Sequence, residues 1–206
     1  MRLQFGELNI TPRVEERLAE LGYTSEELQE AVSEHKSGCD GEPSVYVGTY
    51  GKYNEGSLCG LWIDLSSFSD YDEFIDFCNA IHADEPDPEL MAQDYEGFPR
   101  QWYNEGFMSE EDFDHIQEYT ELCDKYDVDA VDDYMEFEDT LDNFEEAYCG
   151  EWDSEEDFAR HIVEECWDIE RTMGDLSRYF DYEAFGRDLF MYDYNMGANN
   201  HVFRRI

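Results

Sequence analysis

The sequence predicts an α+β fold: three small domains in a row behind a short helical N-terminal extension. Three observations lead there. Two β-branched and aromatic runs, SVYVGTY and SLCGLWIDL, read as strands joined by the glycine-rich YGKYNEGS. Several stretches place apolar residues three and four apart behind Ser, Thr or Asp, which is the pattern of capped amphipathic helices. Changes of pattern near residues 43, 98 and 140 then divide the chain into 1–43, 44–98, 99–140 and 141–206.

The first element is a helix opened by Thr11-Pro12, because proline at the first helical position sacrifices an N–H that has no intrahelical acceptor. Val14, Leu18 and Leu21 follow at helical spacing, and Gly22 ends it. Thr24 with Glu27 reads as a capping box for a second helix, with Leu28, Ala31 and Val32 as its apolar face. The turn-rich segment 37–43 closes the extension. After the two strands, a helix from Asp70 to Ala83 presents Tyr71, Phe74, Ile75, Cys78 and Ile81 on one face. Residues 84–88 break it, and Leu90 to Tyr95 reads as a third strand.

Residues 99–140 read as short helices. Ser109 caps one, with Asp112 three positions on and Phe113, Ile116, Tyr119, Leu122 and Cys123 facing inward. Val128, Val131, Tyr134, Met135 and Phe137 suggest another. In the last segment NFEEAY reads as a strand, and Ser154 to Trp167 as a helix with Phe158, Ile162, Val163 and Cys166 inward. DYEAFGRDL reads as a short helix, and FMYDY and HVFRRI as a closing hairpin across MGANN.

Charge is the dominant feature. Fifty-four Asp and Glu face thirteen Lys and Arg, a formal net charge of −41 over 206 residues. Such an excess repels itself and opposes compaction. Disordered acidic chains are poor in aromatics, whereas this one is 16 % aromatic and 41 % hydrophobic, so it buries a core. The charge is concentrated: residues 101–159 hold twenty-three acids and a single base, Lys125, while six of the nine bases after residue 43 lie in 160–206. On a helix surface, positions three or four apart are about 5–6 Å from each other, comparable with neighbouring phosphates on a nucleic-acid strand. Duplex DNA carries about one charge per 1.7 Å of axis, so twenty-three carboxylates match about eleven to twelve base pairs. The candidate phosphate surrogates are Glu110, Glu111, Asp114, Glu118, Glu121, Asp124, Asp129, Asp132, Asp133, Glu136, Glu138 and Asp139. Composition alone leaves a merely solvated acidic surface, or a chaperone-like acidic module that binds basic proteins, open beside DNA imitation.

Other chemistry is poorly supported. Asp127, Asp129 and Glu138 fall at positions 1, 3 and 12 of a calcium loop, but Val131 and Asp132 stand where an oxygen ligand and glycine are required. The five histidines are scattered and the six cysteines form no C-x-x-C pair, so no zinc motif emerges. No phosphate-binding glycine loop or catalytic constellation is present. No cofactor or metal is expected, nor enzymatic activity, nor direct nucleic-acid binding, since basic patches are missing. The N-terminus has no signal-peptide pattern and no apolar run is long enough to span a bilayer. The expectation is a cytoplasmic protein with reduced thiols.

Several segments, in order, resemble the ArdA family of antirestriction proteins. They are VYVGTYGKYNEGSLCGLWIDL, with Tyr53, Asn54, Glu55, Gly56, Gly60 and Trp62 at the matching positions; QDYEGFP at 93–99; FEEAYCGEWDSEEDFARHIVEE at 144–165; and LSRYFDYEAFGRDL at 176–189 followed by HVFRRI. In the last of these Tyr182, Ala184, Gly186, Arg187, Asp188 and Leu189 match. The resemblance covers about 44–206 and leaves the extension without a counterpart. It implies an elongated molecule whose C-terminal part forms a homodimer resembling curved B-form DNA. It also implies that this dimer occupies the DNA groove of type I restriction-modification enzymes, protecting DNA of mobile genetic elements. On that implication Tyr179, Tyr182, Ala184, Phe185 and Leu189 are the candidate dimer seam.

Overall fold

The computed structural model describes residues 10–24, 42–167 and 169–206. It is an α+β structure. Its contacts gather into two units, one ending at Glu121 and the other beginning at Leu122.

In the first unit, α1 (Pro12–Glu20) starts as the sequence predicts: Thr11 Oγ1 accepts from the Val14 amide at 3.4 Å. The expected second helix from Thr24 falls almost wholly outside the described residues. Strand β1 (Ser44–Thr49) runs between β2 (Leu61–Asp64) and β3 (Leu90–Glu96), both antiparallel to it. Tyr46 lies opposite Trp62, their rings edge-on at 5.6 Å. The register against β3 slips between Tyr46 and Val47, so Gln93 has no counterpart.

Only the second half of SLCGLWIDL is strand. Leu58 to Gly60 are engaged otherwise: Tyr46 Oη donates to the Leu58 carbonyl and the Cys59 amide donates to Ser57 Oγ. The glycine-rich connection is itself helical, forming α2 (Tyr50–Asn54). Helix α3 (Tyr71–Ile81) is capped by Asp70, whose carboxylate accepts from the Glu73 amide. It buries Phe74, Phe77, Cys78 and Ile81, and α1 packs on it through Val14 and Leu18, while Tyr23 meets Phe77 edge-on at 5.0 Å. Phe74 stacks on Phe107 and Phe113. Each such ring contributes about 2–3 kcal/mol by leaving water.

Helix α4 (Glu110–Lys125) begins with a reciprocal cap: Ser109 Oγ accepts from the Asp112 amide, and Asp112 accepts from the Ser109 amide. In the second unit, α5 (Val128–Met135) is capped by Asp127. The segment read as a strand at 143–148 is instead a helical turn, α6 (Phe144–Ala147), and strand β4 (Tyr148–Glu151) begins where it ends. Phe144 and Ala147, three apart, are both buried, so the period here is helical and the short apolar run misleads.

Helix α7 (Glu155–Cys166) carries the predicted Ser154 cap, with Phe158 and Val163 buried and Cys166 exposed. After α8 (Ile169–Met173), helix α9 (Tyr182–Tyr192) packs along α7. Phe190 to Tyr192 finish α9 rather than entering the hairpin. The hairpin is shorter than expected, β5 (Tyr194–Met196) with β6 (His201–Arg204), and β6 lies between β5 and β4. Phe144, Phe158, Val202 and Phe203 form this unit's core. No disulfide joins the described cysteines, of which Cys59 and Cys78 are buried. No described helix is long and apolar enough to cross a membrane.

Candidate protein-interaction surface

The inward stripe of α4, Phe113, Ile116, Tyr119 and Leu122, leaves the acids no place but the opposite face. Glu110, Glu111, Asp114 and Glu121 of the first unit are exposed and Glu118 is half-buried. In the second unit Asp124, Asp129, Asp132, Glu136, Glu138 and Asp139 are exposed. Lys125, the lone base of 101–159, is paired with Glu145, whose carboxylate holds the ammonium above its ordinary pKa. The one cation of this region is thus matched by a local acid.

Asp133 is a correction. It is 1 % exposed and cannot stand in for a phosphate. Its carboxylate accepts from the Asn199 amide at 3.1 Å, Asn199 Nδ2 at 3.0 Å, the His201 amide at 3.3 Å and His201 Nδ1 at 3.0 Å. It therefore ties α5 to the β5–β6 turn. A Cβ on Gly197 would lie 2.2 Å from Asp133 Cγ, so this turn needs a residue without a side chain. With the apolar stripe of Ala130, Val131 and Tyr134, the spacing of Asp133 places it inward; only tertiary contacts reveal what satisfies it.

The residues of the candidate seam lie on α9 and the turn before it. Tyr179 is 71 % exposed, while Tyr182, Ala184, Phe185 and Leu189 are half-buried. Gly186 is buried against α7, where a Cβ would meet the Glu155 carbonyl at 2.7 Å. Around them Trp167, Met173, Leu176, Met191 and Tyr192 are exposed. Arg160 stacks over Tyr182 at 4.1 Å and lines an open cleft of about 750 Å³ with Arg178, Tyr179 and Phe180. Arg187 lies 3.5 Å from Glu183, the local carboxylate partner its spacing suggests.

A further cluster was not legible in the sequence. Lys52 Nζ sits 2.9 Å from His82 Nδ1, 2.9 Å from Asp84 and 3.3 Å from Glu85. Thr49 Oγ1 donates to Glu85 at 2.6 Å, and His82 Nε2 lies 3.3 Å from the Val47 carbonyl. Burial, and then the Lys52 charge, lower the His82 pKa from 6.5 to about 4. The imidazole is therefore neutral at pH 7, with Nδ1 accepting from the ammonium and Nε2–H donating to the backbone. His82, Asp84 and Glu85 have the spacing of a metal-ligand set, but the ammonium lies among them and supplies the positive charge. A faint signal existed: Lys52 is the only base in residues 44–99.

The arrangement is a surface of exposed side chains. Its chemistry is display of carboxylates and of a patch of exposed aromatic and aliphatic side chains. Against known proteins, the family model described as antirestriction protein (ArdA) matches residues 45–203. The chain belongs to the ArdA antirestriction family. A search of curated proteins finds no match. The ArdA match runs from β1 to β6 and takes in both units, whereas α1 precedes it. Antirestriction is thus the family's function, and restriction-modification enzymes are its targets in general terms.

Proposed function

We propose that this chain is a noncatalytic inhibitor that imitates B-form DNA and occupies the DNA-binding groove of type I restriction-modification enzymes. One observation carries this: of the twelve nominated acids, all but Asp133 and the half-buried Glu118 are exposed, in a stretch whose only base is already paired. A groove lined with Lys and Arg for phosphates meets the same charge at similar spacing on these helices. Many weak contacts then sum to affinity, and steering by the net charge speeds association. The division into 44–98, 99–140 and 141–206 belongs to the same reading. So does a homodimer through Tyr179, Tyr182, Ala184, Phe185 and Leu189, which would cover the exposed apolar side chains beside them and double the length of charge presented.

The test is competition. Purified protein is titrated into a type I methyltransferase bound to its recognition duplex. Displacement without cleavage or modification of the DNA is expected. An intact DNA complex at saturating protein, across several type I systems, would defeat the proposal.

A further inference from the structure

The YGKYNEG segment has an inner half and an outer half, and the fold explains only the inner one. Thr49 caps α2, its Oγ1 accepting from the Lys52 amide at 3.2 Å while donating to Glu85. A Cβ on Gly51 would lie 2.6 Å from Glu85 Oε2, so a larger residue there would push aside the carboxylate that Thr49 and Lys52 engage. Lys52 turns inward to His82, Asp84 and Glu85. Gly56 adopts φ +85°, and the Gly56 and Ser57 amides donate back to the Tyr53 and Lys52 carbonyls, closing the helix. The Tyr50 amide bonds the Glu89 carbonyl. This backbone is pinned at its start, its middle and its end.

The residues so held in place are Tyr53, Asn54 and Glu55, all exposed, with Tyr53 at 42 %. Among the described residues their side chains make no hydrogen bond, ion pair or ring contact. A solvated turn does not need a mostly buried ion network beneath it. A contact element does, because a group fixed before binding loses less freedom on binding. The three side chains suit one kind of partner. A tyrosine offers a large, stiff face with a hydroxyl, the amide both donates and accepts, and the carboxylate meets arginine or lysine.

We infer that Tyr53, Asn54 and Glu55 form a local, preorganised contact with the basic protein surface that the acidic helices engage. The inference rests on the proposed function and adds an anchor to an otherwise distributed charge contact. The aromatic ring of Tyr53 supplies attraction that salt does not screen, and Glu55 pairs with a cationic side chain at its edge.

The experiment is the same displacement assay, run over a series of salt concentrations with the full chain and with Tyr53→Ala, Asn54→Ala and Glu55→Gln. Because Tyr53 is uncharged, Y53A is expected to weaken competition at least tenfold at every salt concentration, leaving the slope against salt unchanged. Its melting temperature should fall by no more than about 4 °C, since the ring is only partly covered and has no hydrogen-bond or ring partner to lose. Glu55→Gln should weaken competition less and flatten the slope slightly. If the parent displaces DNA and all three variants equal it within twofold, the tip is only a solvated turn and the inference fails while the DNA-mimic reading stands. If Y53A changes the salt slope as strongly as neutralising acids on α4 does, the contact is not local and the inference also fails. A parent that displaces no DNA overturns both.

Discussion

Replacing Lys52 with Met removes one charge and nearly conserves volume, so it isolates the role of the buried ammonium. The Lys52 side chain is 13 % exposed, and those of its partners Asp84 and Glu85 are 15 % and 23 % exposed. Removing one member of a well-buried ion pair costs about 3–5 kcal/mol, because the remaining charge stays desolvated without a counter-charge. The two carboxylates are not wholly buried and water can partly resolvate them, so the lower end applies, about 3 kcal/mol at pH 7.5. The loss depends on pH. Lys52 is the second cause, after burial, of the depressed His82 pKa. Without it the imidazole titrates higher than in the parent, though burial still holds it down, so acidification more readily places a proton beside Asp84 and Glu85 in place of the missing cation. The destabilisation should therefore shrink on acidification. Urea unfolding of parent and K52M at pH 7.5 and pH 5 measures both values. A loss below about 1 kcal/mol at pH 7.5, or a loss that grows toward pH 5, would refute the claim that Lys52 is the structural cation of this cluster.

In the parent chain His82 should make the fold sensitive to acid. Its folded pKa of about 4 lies below the 6.5 of an unfolded imidazole, so only the unfolded chain gains a proton between those values. The His82 contribution is thus complete above pH 6.5 and is lost as pH falls toward 4, reaching about 3 kcal/mol at the acid end; His82→Gln should flatten this part of the stability–pH curve. Asp133→Ala should cost about 3 kcal/mol or more by orphaning the Asn199 and His201 donors, whereas Glu136→Gln one turn away should change stability by less than about 0.5 kcal/mol, as chemical denaturation would measure. Single changes such as Asp114→Asn or Glu121→Gln should leave DNA competition nearly intact, and neutralising about eight exposed acids of 101–159 should weaken it progressively; added salt should raise the melting temperature by screening repulsion while weakening competition. Ala184→Asp should shift the assembly toward monomer in sedimentation if α9 forms the seam, and a parent chain that is already monomeric at tens of micromolar would remove that seam from the reading.

Much of the architecture could be read locally. Thr11, Asp70, Ser109 and Ser154 announce their helices because a cap is satisfied within three residues of itself. The β-branched and aromatic run of β1 and the family segments locate the first sheet. The errors have two physical sources. Short apolar runs such as NFEEAY and FMYDY fit either period, and packing of Phe144 and Phe190 against distant residues decides between them. The polar clusters were hidden because their partners are far apart in sequence: Lys52 reaches residues 30 and 32 positions on, and Asp133 reaches 66 and 68 positions on. The apolar neighbours Ala130, Val131 and Tyr134 mark Asp133 as inward-facing, but nothing local names the donors that satisfy it. The exposed carboxylates, by contrast, could be nominated from helical spacing alone, since the apolar stripe fixes which side faces solvent.

The place of β6 in its sheet has a consequence for synthesis. Residues 201–204 pair with β4, some fifty positions earlier, and with β5 just before them. While the chain emerges from a ribosome, β4 and then β5 are exposed with the space between them vacant, and Asp133 has no donors to receive. The second unit can close only after its last strand arrives, whereas β1 to β3 are complete by residue 96. Unpaired edges waiting in nascent chains invite strand exchange between neighbours on one message. Here each neighbour carries the same heavy negative charge, so two waiting edges repel before they can zip. The acidity proposed to suit the finished molecule to a basic groove also keeps its unfinished copies apart.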